Sequence, residues 1–201
     1  MRVPSIRPVR CDVAVPEDCV ALIERVYDET GRLDVLVNNA GASGPARIED
    51  ETLDDLQRVL SVNLNGPFLL CKQAGERMRS SGRGSIVNVG SILGLVSGAP
   101  IAGLGYSASK GALVAMTREL AGQWGPDGVR VNALIPGWFR TEMNQDLFAD
   151  EKGSKWVDRN TMLRRPGSPA ELDGALLYLA SDASSYMTGQ MLVVDGGWTA
   201  R

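Results

Sequence analysis

A tyrosine and a lysine stand four residues apart in this 201-residue sequence, at Tyr106 and Lys110. In a helix this spacing places both side chains on the same face, within one turn of each other. A phenol with a pKa of about 10 cannot act as a base at neutral pH unless a nearby cation stabilises its phenolate. The lysine ammonium is such a cation, so the pair could transfer a proton. An ordinary surface pair on a helix has the same spacing and is the alternative interpretation.

The sequence contains no histidine. Imidazole is therefore excluded as a general base, as a zinc ligand and as the middle member of a Ser-His-Asp relay. The three cysteines, Cys11, Cys19 and Cys71, form no C-x-x-C pair and suggest neither a disulfide framework nor a metal site. They predict three reduced thiols in a cytoplasmic protein.

Two polar segments follow apolar runs that are typical of buried strands. Ser91 follows the run at residues 85–89, and its hydroxyl could hydrogen-bond a substrate oxygen opposite the tyrosine. The motif Asn38-Asn39-Ala40-Gly41 follows the run at 33–37; its glycine permits close backbone approach to a flat ligand, and its amide can fix neighbouring strands. The alternatives are a serine that only closes a strand and a plain turn.

Asn63 stands in a predicted helix just before Gly66-Pro67. Proline removes a backbone donor and crowds the preceding turn, so we expect the helix to bend there and to leave a carbonyl free for water. The alternative is a polar residue that faces solvent.

Apolar periodicity predicts helices that alternate with strands. Helices are expected from Pro16, from Thr52 with Asp55 as a capping box, at residues 106–124, and from Ser168. Strands are expected at residues 9–13, 33–37, 85–89, 129–135 and 190–195. This alternation predicts right-handed crossovers and one parallel sheet with helices on both faces, with a ligand at the carboxyl ends of the strands. The long irregular stretch at 138–167 is where a lid over the ligand is expected.

Composition limits the partners of the chain. With 44% hydrophobic and 22% charged residues, the sequence predicts a single soluble domain over residues 1–201. Twenty-one basic residues against 24 acidic ones give a net charge of −3, and no basic block is long enough to bind nucleic acid. The longest uncharged stretch, at 84–109, contains glycines, Asn88 and Pro100, so it predicts no membrane span.

In this order and spacing, the segments resemble the short-chain dehydrogenase/reductase family over essentially the whole chain. The resemblance implies a Rossmann-like, doubly wound parallel sheet and a homo-oligomer, a dimer or tetramer, built through the helices near residues 53–78 and 106–124. The motifs that carry it are Cys11-Asp12-Val13, Asn38-Asn39-Ala40-Gly41, Val62-Asn63-Leu64-Asn65-Gly66, Gly90-Ser91, Tyr106 with Lys110, Val131-Asn132-Ala133 before Pro136-Gly137, and Val194-Asp195-Gly196-Gly197.

The resemblance also implies hydride transfer between NAD or NADP and a secondary alcohol or ketone. Tyr106 would be the acid or base and Ser91 would orient the substrate oxygen. Lys110 would lower the pKa of Tyr106 and hold the cofactor ribose, and Asn63 would position a water. The residues implied to contact the cofactor are Asp12 and Val13 at the adenine, Asn39, Ala40 and Gly41 along the adenosine and ribose, Pro136, Gly137, Phe139 and Thr141 at the nicotinamide, and Tyr106 with Lys110.

The sequence departs from the family pattern in two places. The gap from Ser91 to Tyr106 is two residues longer than usual, and we choose Ser91 over Ser97 because it stands directly at the strand end. No glycine-rich G-x-x-x-G-x-G turn precedes Asp12. The resemblance therefore predicts an N-terminally truncated domain without its first two βα units, in which the strand at 33–37 is an exposed edge.

The alternative function is a catalytically silent fragment that only oligomerises or binds a partner. The substrate and the choice between NAD and NADP stay open.

Overall fold

The computed structural model describes residues 6–200. Within that range one parallel sheet has the order β1-β2-β3-β4. Its strands are β1 (Val35–Asn38), β2 (Gly84–Val89), β3 (Val129–Pro136) and β4 (Met191–Val194). Because the strands are parallel, their carboxyl ends lie at one edge of the sheet, which we call the carboxyl edge. The predicted parallel α/β sheet is confirmed.

The α-helices of the described range lie between these strands or before them. They are α1 (Pro16–Thr30), α2 (Leu53–Leu60), α3 (Gly66–Ser81), α4 (Leu104–Trp124), α5 (Gln145–Ala149), α6 (Glu151–Asn160) and α7 (Asp173–Ala180). Local sequence explains several helix ends. The predicted capping box of Thr52 and Asp55 starts α2. Gly31 ends α1 with a φ of 69°, a left-handed conformation that glycine adopts without steric cost.

The two faces of the sheet pack against different helices. Ile86 of β2 is fully buried in a cluster with side chains of α1, α3 and α4, whereas Val87 packs with Leu179 of α7. Successive strand residues point to opposite faces, so α7 covers the second face. On that face the Ser85 hydroxyl donates to the Leu179 carbonyl at 2.8 Å. The prediction of helices on both faces is confirmed.

The connection from β3 to β4 has the opposite hand to the two connections before it. The sheet order advances in one direction, yet α3 and α4 cross on one face and α7 on the other. The prediction of uniformly right-handed crossovers is therefore wrong for the last connection. That connection is long, and it forms α5 and α6 before α7 returns to the sheet, so the short-crossover geometry behind the rule does not constrain it.

Two local predictions are also wrong. Residues 9–13 form no strand, because Asp12 forms the turn that starts α1: its carbonyl accepts from the Val15 N–H and its carboxylate from the Ala14 N–H. Residues 138–167 are not irregular, since they contain α5 and α6. Of these helices only Val157 is a buried residue, and large apolar side chains are few: Leu147 and Phe148 in α5, Trp156 and Val157 in α6.

A π-helical segment, Ser61–Asn65, joins α2 to α3. The Gly66 N–H donates to the Ser61 carbonyl, five residues back. Pro67 follows directly and has no N–H to donate. The irregular backbone lies where the sequence predicts a bend, and it takes the form of a wider helical turn.

Three tryptophans form a cluster beyond the carboxyl edge. Trp138 follows β3, Trp156 lies on α6 and Trp198 follows β4, with ring centroids 5.0–5.9 Å apart. This tryptophan cluster packs over Ile92 and Ile135. It therefore anchors α6 to the body of the molecule, whereas α5 has no buried residue.

Candidate active site

Side chains from three parts of the fold meet at the carboxyl edge. Tyr106 and Lys110 lie on the first two turns of α4, Ser91 follows β2 by two residues, and Asn63 lies in the π-helical segment. Of these four, all except Tyr106 are buried, and Tyr106 is half-buried.

The Ser91 hydroxyl lies beside the Tyr106 phenol. Their side chains are hydrogen-bonded, and Ser91 also accepts from the Leu93 N–H at 3.1 Å, which leaves the Ser91 proton for the phenol oxygen. Burial raises the pKa of Tyr106, and the hydrogen bond with Ser91 offsets part of that rise. Ser97 is exposed, and its hydroxyl accepts from the Ala99 N–H. The structure thus brings Ser91, and not Ser97, to Tyr106.

Lys110 is a buried cation beside the tyrosine. It is 4% exposed, its ammonium donates to the Val89 carbonyl at 2.8 Å, and it lies 5.8 Å from the centroid of the Tyr106 ring. Burial lowers the pKa of Lys110 to about 8. Burial acts in the opposite sense on Tyr106 and raises its pKa. The lowering of that pKa by Lys110, which the resemblance implies, stays a prediction.

The Lys110 ammonium has unused hydrogen-bonding capacity. It carries three N–H donors, and within residues 6–200 its one hydrogen-bond acceptor is the Val89 carbonyl. Gly41 lies alongside: a Cβ there would sit 3.8 Å from Lys110 Nζ and 3.6 Å from Met143 Cε. A buried ammonium with two spare donors, next to the backbone of the loop after β1, fits a ligand that carries hydroxyl groups.

Asn63 is fully buried and joins the loop after β1 to α4. Its Oδ1 accepts from the Ala42 N–H at 2.7 Å, and its Nδ2 donates to the Ala42 carbonyl and to Ser109 Oγ, both at 2.9 Å. Ser109 Oγ in turn donates to the Tyr106 carbonyl at 2.7 Å. The side chain of Asn63 therefore holds protein groups together. A water positioned by Asn63 would have to bind its backbone.

The residues implied at the adenosine end lie on the β1 side of the carboxyl edge. Asp12 is exposed and its carboxylate caps the turn before α1. A Cβ at Gly66 would sit 2.6 Å from the Val13 carbonyl, so this turn packs directly on the start of α3. Asn39 and Ala40 are exposed at the end of β1.

Pro136 and Gly137 lie at the end of β3, packed against the chain that leaves β4. The Gly137 N–H donates to the Val194 carbonyl at 2.9 Å. A Cβ at Gly137 would sit 2.6 Å from Asp195 Cα, which explains why a residue without a side chain stands here. This close approach fixes the backbone that follows β3.

Phe139 and Thr141 continue the same segment. Phe139 is 6% exposed and packs against Gly167, with which its backbone forms a bridge. Thr141 is exposed and forms a capping box with Asn144, whose side chain also donates to the Phe139 carbonyl at 2.7 Å. The ring of Phe139 is thus occupied in packing, while Thr141 stays accessible.

A buried hydrogen-bond network supports the site from below. Asn38 Nδ2 donates to Asn88 Oδ1 at 2.8 Å and to Cys71 Sγ at 3.2 Å, and Asn88 Nδ2 donates to Thr117 Oγ1 at 2.9 Å. The amide of Asn38 therefore fixes β1 to β2, as the sequence predicts. Cys71 and Thr117 were not predicted; the available signal was a polar residue, Asn88, in the middle of an apolar strand.

Known structures place this fold among the Rossmann-like α/β oxidoreductases. The crystal structure of a gluconate 5-dehydrogenase from Burkholderia cenocepacia, in complex with NADP and tartrate, matches with a TM-score of 0.91. The two chains are 36% identical, and the match covers 94% of this chain and 74% of that one. Within residues 6–200 no helix has the length and apolar character to cross a membrane.

Sequence comparison identifies the family. The family model described as enoyl-(acyl carrier protein) reductase matches residues 2–199. Gluconate 5-dehydrogenase of Gluconobacter oxydans is 40% identical over 90% of this chain and 69% of its own length. A 3-alpha-(or 20-beta)-hydroxysteroid dehydrogenase of Mycobacterium bovis is 41% identical over 98% of this chain and 72% of its own. The chain belongs to the short-chain dehydrogenase/reductase family, and the predicted oxidoreductase class is confirmed.

Proposed function

We propose that this chain transfers a hydride between NAD or NADP and a secondary alcohol or ketone, with Tyr106 as the acid or base. The observation that carries this proposal is the contact between the Tyr106 phenol and Ser91, beside a buried lysine with two unused donors. A substrate oxygen between the two hydroxyls would meet both a proton donor and a hydrogen-bond donor.

The protonation state of Tyr106 determines whether the site favours carbonyl reduction or alcohol oxidation. Because burial raises its pKa, the phenol is protonated at neutral pH and can give its proton to a carbonyl oxygen. Ser91 donates a hydrogen bond to the same oxygen and orients it. Alcohol oxidation needs the phenolate, so it should become faster as the pH rises.

The residues present fit a nicotinamide cofactor. The spare donors of Lys110 beside Gly41 suit ribose hydroxyls, and the cofactor, when bound, supplies or accepts the hydride. By family pattern, Asn39 and Ala40 with Gly41 line the ribose side. The other residues assigned to the cofactor in this way are Asp12 and Val13 at the adenine, and Pro136, Gly137, Phe139 and Thr141 at the nicotinamide.

The named activities of the matched relatives define the assay. Purified protein is mixed with NAD⁺ or NADP⁺ and either D-gluconate or a 3α-hydroxysteroid, and formation of reduced nicotinamide is followed by absorbance. We expect saturable turnover that Tyr106→Phe lowers by about a hundredfold or more and that Tyr178→Phe, on the partly exposed Tyr178 of α7, leaves unchanged. Absence of turnover together with absence of cofactor binding in calorimetry would refute the proposal and leave a silent fragment.

We infer further that the chain is a cytoplasmic homo-oligomer. Its three cysteines are all free thiols, which suits a reducing compartment. Leu53, Phe68 and Leu104 are 67%, 53% and 58% exposed, and they lie on the helices that the family pairs in its oligomers. Large exposed apolar side chains on neighbouring helices support an interface between copies.

A further inference from the structure

The first turn of α4 has no cap of its own. Gly103 occupies the N-cap position and has no side chain, and the first turn contains no acidic residue. The bond from the Ser107 N–H to the Gly103 carbonyl opens the helical ladder. The N–H groups of Leu104, Gly105 and Tyr106 therefore have no acceptor within the helix, and Tyr106 is one of the residues concerned.

Glu51 supplies the missing acceptor from a distant part of the sequence. Both oxygens of its half-buried carboxylate accept from the Gly105 N–H, at 3.1 and 3.2 Å. Glu51 lies between the 3₁₀ turn Ile48–Asp50 and the capping residue Thr52 of α2. A carboxylate at this point also interacts favourably with the positive end of the helix dipole of α4.

Three glycines make room for this contact. A Cβ at Gly105 would collide with Glu51 Oε1, and a Cβ at Gly44 would sit 3.0 Å from the same oxygen. A Cβ at Gly103 would collide with the Pro45 carbonyl. The loop that follows β1 is thus packed onto the start of α4 through the Gly103–Pro45 backbone contact, with the Glu51 carboxylate beside Gly44 and Gly105.

The backbone of Tyr106 is consequently held from two sides. The preceding amide, of Gly105, is fixed by Glu51, and the carbonyl of Tyr106 accepts from Ser109 Oγ, which Asn63 holds in turn. Neither Glu51 nor Asn63 needs to touch the reacting atoms for this to matter. A shift of the first turn of α4 would move the phenol away from Ser91.

We propose that Glu51 is a positioning residue for the reaction: it fixes the first turn of α4 and so the place of the Tyr106 phenol. This inference rests on the role proposed for Tyr106 above. Glu51→Gln keeps the size and one acceptor oxygen, whereas Glu51→Ala removes both. Glu49→Ala is the matched control, because Glu49 is two residues away, exposed, and paired with the exposed Arg47.

Kinetics with the nucleotides and substrates of the assay above test the proposal. We expect Glu51→Ala to lower kcat by about tenfold or more, with KM for NADP⁺ or NAD⁺ changed less than about threefold, since a misplaced catalytic group lowers kcat. Glu51→Gln should restore kcat to within about threefold of wild type, because an acceptor returns. Glu49→Ala should match wild type.

Hydrogen–deuterium exchange of the backbone at residues 103–107 provides a readout that needs no substrate. The Gly105 amide should exchange about tenfold faster in Glu51→Ala, and close to the wild-type rate in Glu51→Gln and Glu49→Ala. Faster exchange with an unchanged kcat would overturn the positioning role, and so would unchanged exchange. If the wild-type protein lacks turnover, or if Tyr106→Phe retains it, the proposed function is refuted. The positioning role of Glu51 is then refuted as well, even if hydrogen exchange shows that Glu51 caps α4.

Discussion

Ser91, fifteen positions before Tyr106 in the sequence, lies beside the Tyr106 phenol and lowers its pKa by hydrogen bonding. The phenol oxygen is therefore the atom on which the proposed activity depends. Replacing Tyr106 with phenylalanine removes the hydroxyl that Ser91 contacts and keeps the ring. We expect turnover to fall by about a hundredfold or more, as for the loss of a general acid, with the melting temperature changed little. Steady-state kinetics and a thermal melt on the same preparation check this, and near-wild-type turnover would contradict the assignment.

We expect Lys110 to lower the folding stability of the protein when no cofactor is bound. Its pKa is about 8 when folded against 10.5 ordinarily, so below pH 8 the buried charge costs stability, at most roughly 3 kcal/mol. Between these two values the folded state releases its proton first, and wild-type stability rises with pH. We therefore expect Lys110→Met to be more stable than wild type at pH 7, by about 1–3 kcal/mol, and to be inactive.

The pH dependence separates this effect from a simple change in packing. All other titrating groups are shared by the two proteins, so the stability difference between Lys110→Met and wild type should shrink from pH 8 towards pH 10. Urea denaturation at several pH values measures it. A difference that is constant with pH would show that the buried charge is not its cause.

At the residue scale, spacing predicted which side chains come together but not how they interact. Tyr106 and Lys110 are neighbours because helical geometry requires it, and Ser91 meets them because strand ends share an edge. The Val89 carbonyl that holds Lys110 and the carboxylate of Glu51 could not be predicted, since those contacts depend on how distant segments dock.

The contact between α3 and α4 offers a test at the scale of elements. A Cβ at Gly75 of α3 would sit 2.6 Å from the Trp124 ring of α4, while one at Gly122 would meet nothing within 4 Å. We expect Gly75→Ala to destabilise the protein by about 1–3 kcal/mol through overpacking. Gly122→Ala should stabilise it by about 0.5–1 kcal/mol through helix propensity. Denaturation midpoints of the two variants provide the comparison, and destabilisation by both would count against the packing argument.

Elements with strong local signals were predicted and those without were not. The capping box at Thr52 starts α2 because its hydrogen bonds are local. By contrast, α6 buries only Val157 and has one further large apolar side chain, Trp156, so its sequence did not predict a helix. Residues 9–13 have the composition of a strand, but the hydrogen bonds of Asp12 are directed into the start of α1.

For the molecule as a whole, the proposed oligomer makes a direct prediction. Phe68 lies on α3 and is 53% exposed, and Leu53 of α2 and Leu104 of α4 are exposed as well. Phe68→Glu would place a charge in the contact between copies, and we expect the apparent mass to fall to that of a single chain in light scattering. Leu163→Glu, at a similarly exposed leucine outside these helices, is the control and should keep the wild-type mass.

The alternation of strands and helices predicted the parallel sheet, because such connections allow few alternatives. The opposite hand of the last connection could not be predicted, since a long segment can return to either face of a sheet. The face that α7 covers is decided by where Leu179 finds apolar partners. That information is distributed over β2, β3 and α7 rather than carried by any local pattern.

The tryptophan cluster gives the molecule a built-in optical signal. Trp138, Trp156 and Trp198 lie within contact distance of each other at the carboxyl edge, whereas Trp124 lies apart between α3 and α4. Indole emission overlaps the absorbance of reduced nicotinamide, so a bound reduced cofactor would quench it by energy transfer. Ultraviolet emission alone would then report occupancy of the site in real time, and Trp156→Phe would identify the contribution of α6.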